Sequence, residues 1–298
     1  MSHEMDHFAM GQWVLLLAYA VSVTGSLVGL ISAQHAARAT DPSLRWRWTV
    51  CASLSIGGVA IWLMHFIGMM GFDIHGATVR YGLLKTLLSV VLSLGATAFG
   101  LVMVGSSVTG PGGRGKRLVL AGVVMGAAVS AMHYTGMWAI RIPGSIDHDS
   151  GFVIASIAIG VVAATAALWF SQVANRWFLQ VPAALVMGLA VVSLHYTGMA
   201  GVRVHVDPTA PEPTGMSVMT LLFPAFGVGI VVLAVVTVAL MVARTEEERE
   251  LEARIAEWEA STQVQTATAA GGPAHATGSA TVPARSRPRH RGDARGSR

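Results

Sequence analysis

Polar and apolar residues are segregated along this chain over lengths far greater than one strand or one helical turn. Stretches free of Asp, Glu, Lys and Arg run over 7–37, 48–72, 86–113, 118–140, 150–175, 177–202 and 213–243, each at least 23 residues long. About 20 helical residues cross a hydrocarbon layer roughly 30 Å thick. In lipid the backbone must satisfy its own hydrogen bonds, so such stretches form helices. The alternation expected of a barrel strand is absent. The pattern predicts an all-α membrane protein with seven transmembrane helices, near 11–33, 48–71, 82–105, 118–140, 152–172, 178–201 and 217–242.

Composition agrees: charged residues make up 12% of the chain, against about 25% in soluble domains. They are also unevenly placed, with 17 in 10–243 and another 17 in the 55 residues from Arg244 onward. Four segments follow: an N-terminus over 1–10, a membrane domain over 11–243, a short charged helix over 244–260 and a disordered, Arg-rich tail over 261–298. The first, third and fifth loops carry Arg38, Arg45, Arg47, Arg114, Lys116, Arg117 and Arg176. The alternate loops carry Arg80, Lys85, Arg141 and Arg203, with most of the acidic residues. The excess of basic residues puts the first set of loops in the cytoplasm, the N-terminus outside and the C-terminus inside. The chain is expected in the cell membrane, with the lipid bilayer as its first partner. The Arg-rich terminus is weak ground for nucleic-acid binding, and none is expected.

The most informative feature is a repeat. IGGVAIWLMHFIGMMGFDI from Ile56, VMGAAVSAMHYTGMWAIRI from Val124 and VMGLAVVSLHYTGMAGVRV from Val186 align without gaps. They fall on the second, fourth and sixth spans, giving three internal two-helix repeats. His65, His133 and His195 therefore share one depth, one to two turns below the outer surface. At 100° per residue, Met69, Met137 and Met199 at i+4 lie 40° from their histidines. Gly68, Gly136 and Gly198 at i+3, with Gly58, Gly126 and Gly188 at i−7, fall on or near the same face. Small residues let membrane helices approach closely, so these glycines are expected to pack helices. If the faces point inward, three imidazoles and three thioethers converge.

That donor set favours copper: thioether suits Cu(I), and imidazole binds both oxidation states. Haem iron ligated by histidine is the alternative, and zinc is disfavoured because its usual ligands exclude Met. Tyr134 and Tyr196 at i+1 are candidates for hydrogen bonds around the site; the first repeat has Phe66 there. Met64 and Met132 at i−1 read first as core packing and second as added ligands, and the third repeat has Leu194. His3, Met5 and His7 form either a flexible polar terminus or a capture site for an entering metal. Arg141 and Arg203 are expected to anchor helix ends. The one cysteine, Cys51, excludes a disulfide and CxxC metal sites and reads as a small buried hydrophobe. No catalytic, nucleotide-binding or helix-turn-helix pattern is present, and no acidic residue lies deep in a span, so neither an enzyme nor a transporter is expected.

The hexamers MHFIGM, MHYTGM and LHYTGM resemble the signature of the MHYT family of bacterial integral membrane sensor domains. The resemblance covers roughly 10–243 and recurs on three alternate spans. It implies seven transmembrane helices, motif residues near the outer face, and copper held by Met and His to sense oxygen, carbon monoxide or nitric oxide. By resemblance His65, Met69, His133, Met137, His195 and Met199 match the family's ligands, and Met64 and Met132 match the leading Met of the motif. Phe66–Ile67 and Leu194 depart from it. Many relatives carry attached signalling output domains. This chain is expected in the stand-alone form, passing its signal to a separate cytoplasmic partner through 244–260. A copper handling or insertion protein is the alternative reading, and a haem-binding redox protein is a third.

Overall fold

The structure is a computed structural model that describes residues 5–6, 10–74, 77–105 and 113–270. Among the described residues, seven helices are long and apolar enough to cross a membrane. They are α1 (Trp13–Arg38), α2 (Pro42–Met69), α3 (Leu83–Gly105), α4 (Gly113–Trp138), α5 (Ser150–Val173), α6 (Trp177–Ala200) and α7 (Val218–Ala270), the apolar part of α7 being Val218–Ala243. Several overrun the apolar stretches at the Arg-rich end, because a helix can continue into the headgroup layer. The α2 helix starts at Pro42, with Pro at a position that needs no N–H and Asp41 as its cap, accepting from the Leu44 N–H at 2.8 Å. Exposed residues such as Leu84, Phe223 and Val162 form the belt that lipid covers.

The first six helices form a closed ring in which each packs on its neighbours in the chain and α6 returns to α1. The α2 helix is the most enclosed, with 72% of its apolar window buried, and α7 the least, with 17%. Close approach comes from small residues. A Cβ at Gly25 of α1 would lie 2.7 Å from the Ala60 nitrogen and the Ser55 carbonyl oxygen of α2.

The middle of α2, Leu54–Leu63, is a π-helix. Hydrogen bonds from i to i+5 widen each turn around its backbone carbonyls. Two of these accept from neighbouring helices: Ser22 Oγ of α1 donates to the Ala60 oxygen at 2.8 Å, and Ser93 Oγ of α3 to the Gly57 oxygen at 2.6 Å. The π segment is thus supported from both sides.

The loops at the opposite end from the Arg cluster are stitched by antiparallel strand pairs. β1 (Met5–Asp6) pairs with β2 (Asp73–Ile74), β3 (Arg80–Tyr81) with β4 (Ile140–Arg141), and β5 (Gly144–His148) with β6 (Val202–Val206). These strands join the segments that follow α2, α4 and α6.

By internal contacts the chain divides into two units, Met1–Arg244 and Thr245–Arg298. In the second unit the helix runs to Ala270, ten residues past the expected 260. Residues 245–270 contain neither Gly nor Pro, so nothing local ends the helix before Gly271. The disordered, Arg-rich tail expected over 261–298 is thus helical in its first ten residues, and the rest of it lies outside the described residues.

Candidate metal centre

His65 sits one turn from the end of α2, and His133 and His195 each lie five residues before the ends of α4 and α6. All three point into the ring, and each is 1% exposed. The Nδ1 atoms of His65 and His195 are 3.0 Å apart, those of His133 and His65 are 3.2 Å apart, and one ligand nitrogen from each ring lies within 4.8 Å of the others. The rings meet edge to face, with interplanar angles of 82°, 85° and 88°.

This arrangement is poorly satisfied by hydrogen bonds alone. A neutral imidazole offers one N–H and one lone pair. A proton on His65 Nδ1 can serve the two facing nitrogens, but His133 then carries its proton on Nε2. The Nε2 atoms of His65 and His133 are buried and have no hydrogen-bond partner. An unpaired buried polar group costs about 1–3 kcal/mol. A cation accepting the inward lone pairs removes the conflict among the Nδ1 atoms. Nitrogens bound to one ion at about 2.0–2.1 Å lie about 3.3–3.6 Å apart in tetrahedral or trigonal geometry, close to the 3.0 and 3.2 Å that separate His65 Nδ1 from the other two. The triad therefore fits a metal ion.

A cavity of about 10 Å³ adjoins the rings, about the space of one water. Its lining is three-fold: Ile61, Val129 and Val191 at i−4, Met64, Met132 and Leu194 at i−1, and the three histidines. Met64 and Met132 thus share the cavity with the triad. Met69, Met137 and Met199 are buried in the core but do not line it. The cavity leaves no slot for a porphyrin, so haem does not fit here.

The i+3 glycines meet the triad directly. A Cβ at Gly68 would lie 2.4 Å from His195 Nε2, one at Gly136 2.4 Å from His65 Nε2, and one at Gly198 2.4 Å from His133 Nε2. Farther from the triad, a Cβ at Gly126 would come within 2.5 Å of the Val161 backbone, and one at Gly188 within 2.6 Å of Val23. In the first repeat the close approach passes from Gly58 to Gly57. A Cβ at Gly57 would meet the Ser93 oxygen at 2.8 Å, whereas Gly58 has only an ordinary contact with Leu94 at 3.5 Å. The π turn advances the helix by one residue and causes this shift.

Tyr134 packs edge-on against His133, with centroids 5.0 Å apart, and its hydroxyl shares a 2.6 Å hydrogen bond with Ser156 Oγ. Tyr196 packs in the same way on His195 at 4.9 Å. Tyr134 also touches His148 at 5.6 Å, a partner that sequence spacing did not point to. His148 lies on β5, and a strand pairing that returns it to α4 has no local sequence signal. Burial holds its pKa below the ordinary value near 6.5, partly opposed by Asp147. Tyr134, Met137, Arg141 and His148 line a pocket of about 480 Å³ at the strand end.

Arg203 pairs with Asp149, the cap of α5, at 2.9 Å, and Arg141 donates to the Thr214 carbonyl at 3.0 Å; both fasten helix ends. Cys51 is half-buried and far in sequence from the triad on α2. His3 and His7 lie outside the described residues; the Met5 backbone belongs to β1.

Comparison with known proteins gives a consistent picture. The MHYT family, described as a bacterial signalling protein N terminal repeat, matches at 58–119, 126–184 and 188–256. The bifunctional diguanylate cyclase/cyclic di-GMP phosphodiesterase MucR of Pseudomonas aeruginosa is 38% identical over 161 residues, covering 52% of this chain and 23% of that protein. The signaling protein YkoW of Bacillus subtilis is 30% identical over 186 residues, 60% of this chain and 22% of that protein. The cyclic di-GMP phosphodiesterase NbdA of P. aeruginosa is 25% identical over 243 residues, 80% of this chain and 30% of that protein. The chain thus spans between about a fifth and a third of the length of these relatives. No solved structure matches.

Proposed function

The chain belongs to the MHYT family of bacterial signalling proteins, and from that premise we propose that it is a membrane sensor whose His65, His133 and His195 hold copper. The observation that carries this reading is the convergence of three buried imidazoles on one point, beside two thioethers and no carboxylate. Hard ions want oxygen ligands; imidazole with thioether suits copper. Met64 and Met132 complete the donor set, rather than the methionines at i+4. When bound, copper supplies a centre that changes oxidation state and binds a diatomic gas.

The residues of the chain do the rest. Ile61, Val129, Val191 and Leu194 exclude water from the rings. Tyr134 and Tyr196 brace two of the imidazoles. The strand end faces outward and the Arg-rich end the cytoplasm, so the site lies in the outer leaflet. A change at the site must favour one arrangement of the bundle over another to be read elsewhere. The reader is a cytoplasmic signalling partner or domain engaged through the segment that begins near Arg244. The enzymatic names of the relatives belong to proteins of which this chain matches less than a third, and no catalytic role is proposed for the MHYT repeats.

The test is copper content of the detergent-purified protein after anaerobic Cu(I) reconstitution, beside a His65→Ala/His133→Ala/His195→Ala variant. A single copper in the wild type and none in the folded variant is expected. A wild type that binds none, or a variant that still binds it, overturns the reading. Exposure of the loaded protein to nitric oxide, carbon monoxide and oxygen, followed by its spectrum, then identifies the gas.

A further inference from the structure

We infer that Gly68, Gly136 and Gly198 are positioning residues of the triad, each seating the imidazole of a different repeat, with Nδ1 as the inward-facing ligand atom. The contacts run in a cycle. His65 of the first repeat rests on Gly136 of the second, His133 of the second on Gly198 of the third, and His195 of the third on Gly68 of the first. Each motif therefore does two jobs. Its histidine points into the triad, and the glycine three residues later receives the ring from the preceding repeat.

The orientation follows from which ring edge faces the glycine. In all three cases Nε2 is the nearest atom to the added Cβ and Cδ2 the next, at 2.8 or 3.1 Å. The Nε2–Cδ2 edge therefore lies against the neighbouring helix, and Nδ1 is turned toward the other rings. Flipping a ring about Cβ–Cγ would exchange Nδ1 for carbon at the centre and break the 3.0 and 3.2 Å approaches.

The seats are too small for any side chain. An ordinary contact at a Cβ is 3.4–4 Å, so a methyl group at 2.4 Å must displace the ring by about 1 Å. Displacement of that size is as damaging as loss of the partners that orient a ligand. The cyclic order also means that no pair of repeats can build the site. Each histidine needs the next repeat as its seat, and the third closes onto the first. The assignment of Nδ1 as the ligand atom rests on the copper reading above; the seating itself does not.

The experiment uses the full chain in nanodiscs, stripped of metal with chelator, and reads the thermal midpoint. Gly136→Ala is compared with His65→Ala, with the matched double variant Gly136→Ala/His65→Ala, and with the mismatched double Gly136→Ala/His133→Ala. Gly136→Ala alone is expected to lower the midpoint. The matched double should fall no further than His65→Ala, because the methyl enters the space that the ring has left. The mismatched double should show both losses. If Gly136→Ala does not fold, recovery of folded protein in the matched double alone is the expected result.

Additive losses in both doubles, or a Gly136→Ala variant as stable as the wild type, overturn the seating. A second readout concerns the ligand atom. In copper-loaded protein Gly136→Ala should weaken Cu(I) binding about 10–100-fold. Nitrogen-15 histidine spectra of Cu(I)-loaded wild type should show Nδ1 bound and Nε2 protonated. Binding through Nε2 overturns the orientation. Failure to bind copper with the matched rescue intact refutes the metal reading and leaves the seating standing.

Discussion

Replacing both Met64 and Met132 by leucine separates the two roles that these side chains can play. Their exposures are 1% and 2%, and the third repeat already carries leucine at the equivalent position, Leu194, on the same cavity wall. Methionine and leucine have similar volumes, and such swaps in a core usually cost less than about 1.5 kcal/mol. The bundle and the triad should therefore survive the double change. If the thioethers are ligands, Cu(I) loses two soft donors while Cu(II), which is content with imidazole, loses little. A tenfold loss confined to Cu(I) is about 1.4 kcal/mol. It lowers the Cu(II)/Cu(I) midpoint potential by about 59 mV, the value for a one-electron couple. The assay is a redox titration of the copper-loaded protein followed by the Cu(II) paramagnetic signal, paired with Cu(I) competition against a chelator. The expected result is a fall of at least about 59 mV with the copper still bound. A potential unchanged within about 20 mV, a shift of a third of a decade, would assign Met64 and Met132 to packing alone. The converse change, Leu194→Met, should raise the potential.

The remaining predictions address the scaffold. Gly57→Ala should destabilise the protein by about 1–3 kcal/mol, an overpacking cost, because its Cβ would press on the Ser93 oxygen at 2.8 Å. Gly58→Ala should be tolerated, and equal effects at the two positions in thermal melts would refute the register shift caused by the π turn. Ser22→Ala with Ser93→Ala removes the donors to the Ala60 and Gly57 carbonyls and should cost about 0.5–1.5 kcal/mol for each hydrogen bond lost. A double variant as stable as wild type would mean the π segment needs no such support. His148 has its pKa lowered by burial, so the folded state binds fewer protons there than the unfolded chain. Its contribution to stability is present above the unfolded value near 6.5 and is lost as pH falls through the folded value. Acid destabilisation below pH 6.5 should be shallower in His148→Gln, and an unchanged slope would count against this.

The seven helices were legible because charge is excluded from stretches that match the thickness of a bilayer, and that constraint needs no knowledge of packing. Helix ends at the Arg-rich side were less legible, since Pro42–Trp46 is polar yet helical under the cap of Asp41. The histidines were legible through repetition: one depth on three helices of one direction leaves few places other than a common centre. Which methionines share the cavity with the histidines was not. A 40° offset on a helical wheel favours i+4 over i−1, yet i−1 faces the cavity and i+4 does not. The wheel measures angle about the axis and omits height along it. Met69, Met137 and Met199 sit about 6 Å closer to the strand end than their histidines, at 1.5 Å per residue. Met64 and Met132 lie only about 1.5 Å to the other side, and they line the cavity. The π segment was hidden for a related reason. It breaks the spacing that aligns the three repeats without altering the alignment itself, so Gly58 lines up with Gly126 and Gly188 while Gly57 takes their place in space. The widened turns receive hydroxyls from α1 and α3, and partners so distant in sequence leave no periodic trace.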